Sequence, residues 1–291
     1  MNGTSLGGAR HLSDSWIETA RLRHRLHVWD HGARTVVALH PTGFCGGVWR
    51  DLASRVQPGY RWIAPDTRGH GDSDKPEGPY ALPEFGRDLL ALLEALGLQG
   101  VDAVGHSGGG SAIAWAAAHA PERFRRLVLV DPIFRPDSYG REDPPPKAKA
   151  LAHAVRRRRA HWPSRSAVLH SYAGKPPFKR WCRPILEDYI NCGFRDRPDG
   201  SVELKCPPAI EARIYESHAP EWDPFATLAA LEHQVLLIRG SESEDFSPLS
   251  YELTMKALRH GRGIVMRSSH FVPMERPAEL AAAAREFLEA P

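Results

Sequence analysis

Short apolar runs and amphipathic stretches alternate along this chain, which specifies strands and helices in turn. Residues 16–30 switch between apolar and polar character around Leu26-His27-Val28-Trp29 and then meet the turn Asp30-His31-Gly32, predicting an antiparallel entry to a sheet. Compact apolar runs come next at residues 35–40, 60–66, 101–106 and 126–131, each the kind of strand that is buried on both faces. Between them the spacing predicts helices over 48–56, 83–96 and 111–119, the second with Phe85, Leu89, Leu92 and Leu96 on one face. Such an alternation needs crossover connections, so the fold class is α/β, with a mostly parallel, doubly wound sheet.

The rhythm breaks after Asp131, where Pro132, Pro136 and Pro144-Pro145-Pro146 interrupt it. The next ninety or so residues read as helical, with helices predicted over 147–161, 184–192 and 209–217 and one strand-like run at 201–205. Sheet-type order resumes with strands at 235–239 and 263–267 and helices at 248–260 and 277–288. The expected organisation is therefore a core of residues 1–134 and 226–291 with a helical lid, 135–225, inserted into it. The first dozen residues, rich in Gly and Ser, predict a mobile start.

At 291 residues and 32.3 kDa the chain is long enough for a large core. Its apolar runs fall short of the ~20 residues a membrane span requires, and the N-terminus lacks a signal-peptide layout, so a soluble, cytoplasmic protein is expected. Cys45, Cys182, Cys192 and Cys206 show no CxxC spacing and no partner histidines; buried free thiols are expected rather than zinc or disulfides. The net charge of +3 is too small to argue for nucleic acid, but residues 135–223 carry 17 Lys and Arg against 12 Asp and Glu. Much of that excess is Arg156-Arg157-Arg158-Arg159, read either as a solvated helix face or as a device that steers an anionic substrate.

The chemistry centres on Gly105-His106-Ser107-Gly108-Gly109, between a predicted strand and a predicted helix. A bare Gly-x-Ser-x-Gly arises by chance in roughly one chain of this length in ten. The strand-turn-helix setting makes it informative, because a serine on such a turn is exposed above the sheet and within reach of a base. Of the 15 histidines, His270 stands out by position, in the loop after the last strand, on the same sheet edge as Ser107. Donors for an oxyanion are expected from the backbone N–H of Gly108 and of Thr42, in the loop His40-Pro41-Thr42-Gly43-Phe44.

Together these segments resemble the α/β-hydrolase-fold superfamily across nearly the whole chain. Ala64-Pro65-Asp66-Thr67-Arg68-Gly69-His70-Gly71-Asp72-Ser73 resembles that superfamily's Asp-x-Arg-Gly-His-Gly-x-Ser loop, whose residues are structural, so His70 has no expected catalytic role. Leu39 to Phe44 resembles its oxyanion turn, with Pro41 where a glycine is commoner. The acid has two candidate positions. The resemblance places it a few residues after the penultimate strand, where this chain has Ser243, with Glu244 or Asp245 one or two residues on. Some relatives draw it from the end of the strand after the elbow, where Asp131 ends Leu127-Val128-Leu129-Val130. Asp131 and Glu244 thus compete.

The resemblance implies a serine hydrolase that cleaves a carboxylic ester, thioester or lactone through an acyl-enzyme, with no cofactor and no metal. Carbon-carbon bond hydrolysis on the same fold is a second option, and a non-catalytic small-molecule receptor a third. The implied partner is a small-molecule substrate, anionic or aromatic, with no nucleic acid and no membrane. Phe44, Trp49 and Phe271 flank the catalytic loops and are the substrate-binding candidates, while Trp162, Tyr172, Phe178, Trp181 and Tyr189 suit either the lid's own core or an aromatic pocket.

Overall fold

The computed structural model describes residues 15–134, 140, 143–217 and 219–290; the N-terminal dozen expected to be mobile lies outside them. An eight-stranded sheet is built from β1 (Ser15–Glu18), β2 (Arg23–Asp30), β3 (Arg34–Leu39), β4 (Tyr60–Pro65), β5 (Val101–His106), β6 (Phe124–Val130), β10 (Gln234–Gly240) and β11 (Gly261–Met266). A second sheet of three short strands comprises β7 (His161–Trp162), β8 (Phe194–Asp196) and β9 (Val202–Leu204). The large sheet runs β1-β2-β4-β3-β5-β6-β10-β11, parallel except where β2 pairs with β1 and with β4.

Alternating residues of the central strands feed two separate cores, as a strand buried on both faces requires. Val36, Ala38, Val104, Val128 and Ile238 point to one face, covered by α1 (Arg50–Arg55) and α11 (Pro277–Glu289). Val37, Leu39, Ala103, Leu127 and Leu237 point to the other, under α2 (Leu82–Ala95) and α3 (Gly108–His119). Alanine and glycine on α3 let it lie close to the sheet and to α2, whose Gly86 faces Trp115.

Between β6 and β10 the chain forms α4 (Pro146–Arg156), α5 (Arg165–Ala173), α6 (Arg183–Gly193) and α7 (Pro208–Glu216) with the small sheet, and then α8 (Pro224–Ala229) against α3. The helix predicted over 147–161 is shorter than its pattern suggested. It stops at Arg156, and His161-Trp162 instead pairs with β9 as β7. Of the remaining elements, α9 (Pro248–Ala257) joins β10 to β11, and α10 (Val272–Glu275) comes after the His270 loop. No described helix is long and apolar enough to cross a membrane.

The cysteine expectation needs correction. Cys45 and Cys192 form a disulfide with an S–S distance of 2.07 Å, joining the segment after β3 to α6, while Cys182 and Cys206 are free.

Candidate active site

Ser107 stands between β5 and α3 with φ 57° and ψ −127°, a backbone conformation that a residue with a side chain adopts only when its surroundings impose it. They do so here by close approach. A Cβ on Gly109 would lie 2.4 Å from the Leu39 carbonyl oxygen, and one on Gly105 would lie 2.6 Å from Gly110 Cα. The Ser107 N–H donates to Val130 O at 3.0 Å, and its carbonyl accepts the Gly110 and Ser111 amides, which fixes the turn from both strand and helix.

His270 lies in the loop between β11 and α10. Its Nδ1 is 2.6 Å from Asp131 Oδ1, and Asp131 is fully buried. The carboxylate has two further donors, Gly240 N–H at 2.8 Å on Oδ2 and the Ser243 hydroxyl at 2.6 Å on Oδ1. All three contacts bring donors to the carboxylate, and an accepting Asp131 fixes the His270 proton on Nδ1.

Glu244, the competing carboxylate, lies elsewhere. It is exposed, its carbonyl accepts Lys147 Nζ, and Asp131 occupies His270 Nδ1. Asp245 pairs with Lys147 at 2.8 Å. Ser243 stands where the resemblance places an acid, and its hydroxyl donates instead to Asp131, at the end of β6. The pairing of β6 with β10 explains this, because it sets the end of one strand against Gly240 of the other.

Thr42 and Gly108 face each other beside Ser107: a Cβ on Gly108 would be 3.3 Å from Thr42 Oγ1. Among the described residues neither amide donates to a backbone acceptor. Pro41 to Phe44 form a tight turn, closed by Phe44 N–H to Pro41 O at 3.3 Å, with Gly43 at φ 85° in the position where such a turn requires a left-handed residue. His40 Nδ1 also donates to Pro41 O, at 2.8 Å. A trans peptide carries its C=O and N–H on opposite sides, so anchoring Pro41 O toward His40 aims the Thr42 N–H the other way.

Beneath the turn, His40 Nε2 accepts Thr67 N–H and His70 Nε2 accepts Gly43 N–H. Burial keeps both imidazoles neutral, lowering His40 to about 4 and His70 to about 3. Asp66 accepts the Gly46 and Asp72 amides, and Arg68 makes a two-pronged ion pair with Asp88; both brace the loop. Sequence reasoning did not single out His106. Its Nε2 donates to His270 O at 2.8 Å and its ring lies 4.9 Å from that of His270, so the residue between Gly105 and Ser107 supports the His270 loop.

Ser107, His270, Thr42 and Gly108 share one cavity of about 350 Å³. Its walls are mostly apolar, with Phe44, Leu82, Ile133 and Phe271 from the core and Leu151, Ile214 and Trp222 from the inserted segment. Trp49, expected to bind substrate, does not line it; the short 3₁₀ turn Gly46–Trp49 directs the indole into the core, where it is fully buried. Tyr172, Phe178, Trp181 and Tyr189 pack on one another and on Phe44, and none of them lines the cavity.

Three residues of the arginine run are likewise engaged elsewhere. Arg156 pairs with Glu216, Arg158 with Glu211 in the interior, and Arg159 lies over Trp162. Among the described residues no Lys or Arg lines the cavity, Asp245 is its one carboxylate, and no cluster of His, Cys, Asp or Glu is placed to hold a metal ion.

The model of the alpha/beta hydrolase fold family matches residues 35–166. Over 240 residues the chain is 38% identical to 3-oxoadipate enol-lactonase 2 of Acinetobacter baylyi, which covers 79% of each chain. The chain belongs to the α/β-hydrolase family. This α/β hydrolase is also 41% identical, over 105 residues, to a 2-hydroxymuconate semialdehyde hydrolase of Pseudomonas putida, a match of 35% of this chain and 34% of that protein. Its fold superposes on that of E-2-(acetamidomethylene)succinate hydrolase with a TM-score of 0.82 at 24% identity, covering 96% of this chain and all of the other. With such relatives the α/β hydrolase is an enzyme, a hydrolase, and a small-molecule substrate fits it.

Proposed function

We propose that this hydrolase opens a carboxylic ester or lactone of a small, largely apolar molecule through an acyl-enzyme on Ser107. The observation that carries the reading is the sharing of one cavity by the strained Ser107 and by His270, whose Nδ1 is engaged by the buried Asp131. His270 Nε2 takes the Ser107 proton as Oγ bonds to the carbonyl carbon. The carbonyl electron pair moves to oxygen, where the Thr42 and Gly108 N–H groups donate to it. Collapse breaks the C–O bond, and His270 returns the proton to the departing oxygen. Water then repeats the cycle on the acyl-enzyme and releases the acid.

The enol-lactonase relative, which matches most of the chain, favours a lactone or enol ester over a thioester. The apolar walls favour a substrate recognised by shape, and among the described residues no Lys or Arg lines the cavity to hold an anion. Residues 135–225 act in this reading as a lid, supplying Leu151, Ile214 and Trp222 to the cavity. A second reading, carbon-carbon bond hydrolysis of a keto-dienoate by the same three residues, draws on the shorter semialdehyde-hydrolase match.

A fluorophosphonate probe tests the mechanism: Ser107 should be labelled, and His270→Ala should abolish the labelling. An unlabelled wild-type protein would sink the proposal. Turnover of p-nitrophenyl butyrate and dihydrocoumarin, compared with a keto-dienoate, then separates the two readings.

A further inference from the structure

The turn that carries Thr42 is held at three points. His40 and the Phe44 amide hold Pro41 O, and His70 holds the Gly43 N–H at 2.9 Å; these come from the core. The third point comes from the inserted segment, where the hydroxyl of Tyr189 on α6 donates to Gly43 O at 3.2 Å. Tyr189 is itself fixed by Arg158, which donates to its hydroxyl and, at 3.3 Å, to that of Tyr172 on α5. Arg158 also pairs at 2.9 Å with Glu211 on α7.

That carboxylate closes on the turn as well: a Cβ at residue 43 would lie 2.5 Å from Glu211 Oε1, so a side chain there would push Glu211 aside, besides straining a backbone at φ 85°. Tyr189 and Glu211 are both buried. A buried guanidinium is costly unless it is paired and hydrogen-bonded, and this one uses its donors to fix the residue that touches the turn. Burial raises the Tyr189 phenol well above its ordinary range, so the hydroxyl stays a donor at any working pH.

We infer that Tyr189, clamped by Arg158 and Glu211, is a positioning residue that sets the direction of the Thr42 N–H through the Gly43 carbonyl. The inserted segment thereby completes the oxyanion site as well as walling the cavity. The inference rests on the acyl-enzyme reading of Ser107.

The test compares Tyr189→Phe with Tyr172→Phe. Both remove a hydroxyl bonded to Arg158, and only the first removes the contact with the turn. With p-nitrophenyl butyrate, Tyr189→Phe should lower kcat and kcat/KM together by about tenfold, part of the roughly 10²–10³ that a whole oxyanion donor is worth, with KM unchanged. Inhibition by an aryl trifluoromethyl ketone, whose adduct with Ser107 carries an oxyanion, should weaken by the same factor. Tyr172→Phe should leave both readouts at wild-type values.

Wild-type kcat and inhibition in Tyr189→Phe, or equal losses in the two variants, would overturn the positioning role. Ser107→Ala reads the mechanism separately. If it retains activity, the acyl-enzyme reading falls and the positioning role with it. If it is inactive while Tyr189→Phe is unchanged, only the positioning role falls.

Discussion

Replacing Asp131 by Asn keeps the size of the side chain while removing its charge and turning one acceptor into a donor. Both carboxylate oxygens are in use: Oδ2 accepts Gly240 N–H, and Oδ1 accepts the Ser243 hydroxyl and His270 Nδ1–H. The Gly240 group is a backbone donor and cannot reverse, whereas a hydroxyl rotates and an imidazole changes tautomer. An asparagine turned with its NH₂ toward Gly240 would set donor against donor in a fully buried site, at a cost of about 1–3 kcal/mol. The oxygen therefore goes to Gly240 and the NH₂ to His270. A donor at Nδ1 moves the ring proton to Nε2, the nitrogen that accepts the Ser107 proton in the proposed mechanism.

In Ser-His-Asp enzymes that tautomer error costs roughly 10⁴ in kcat, about 5 kcal/mol of barrier. The assay is p-nitrophenyl butyrate hydrolysis by wild type, Asp131→Asn and Glu244→Gln, with thermal unfolding to confirm that each is folded. Glu244 is exposed and away from His270, so Glu244→Gln should match wild type. The reasoning is refuted if folded Asp131→Asn stays within about tenfold of wild type, or if Glu244→Gln suffers the large loss instead.

Two further outcomes can be checked. His40 and His70 are neutral in the folded protein down to about 4 and about 3, while an unfolded imidazole titrates near ~6.5, so the unfolded state binds more protons below that pH and stability falls as pH drops from about 6.5. A urea unfolding midpoint that does not fall between pH 7 and pH 5 would contradict those buried neutral rings. Thiol titration of the denatured, unreduced chain should find two thiols, Cys182 and Cys206. Closing a loop across 147 positions makes the bond worth about 5 kcal/mol by chain entropy, so reduction should lower Tm; a count of four thiols would refute the bond.

Features set by local sequence were legible before the fold was known. The elbow is one: glycines flanking a serine between an apolar strand and an alanine-rich helix state both the turn and the close approach that the distances at Gly105 and Gly109 show. His270 was legible from its place after the last strand. The choice between Asp131 and Glu244 was not, because it depends on which strands are neighbours, and β6 meets β10 only in the folded sheet. Trp49 misled for a related reason, since proximity to a catalytic loop in sequence does not say which way a 3₁₀ turn faces. The strands β7 and β8 are two and three residues long, too short for an alternating pattern, and the Cys45–Cys192 bond joins residues with no spacing rule between them. Arg158 read as one of four surface charges because its neighbours are such charges; its burial is decided by Glu211 and Tyr189, far along the chain.

The direct pairing of β6 with β10 also bears on how such an enzyme changes over evolutionary time. About a hundred residues of chain leave the sheet after one strand and return at its immediate neighbour. The entropy of closing a loop grows only with the logarithm of its length, by about 0.6 kcal/mol for each doubling. To the sheet, the whole excursion is a single connection whose size hardly matters. Lineages can lengthen, shorten or exchange it, and so trade one set of substrate walls for another, without renegotiating the strand order that brings Asp131 to His270.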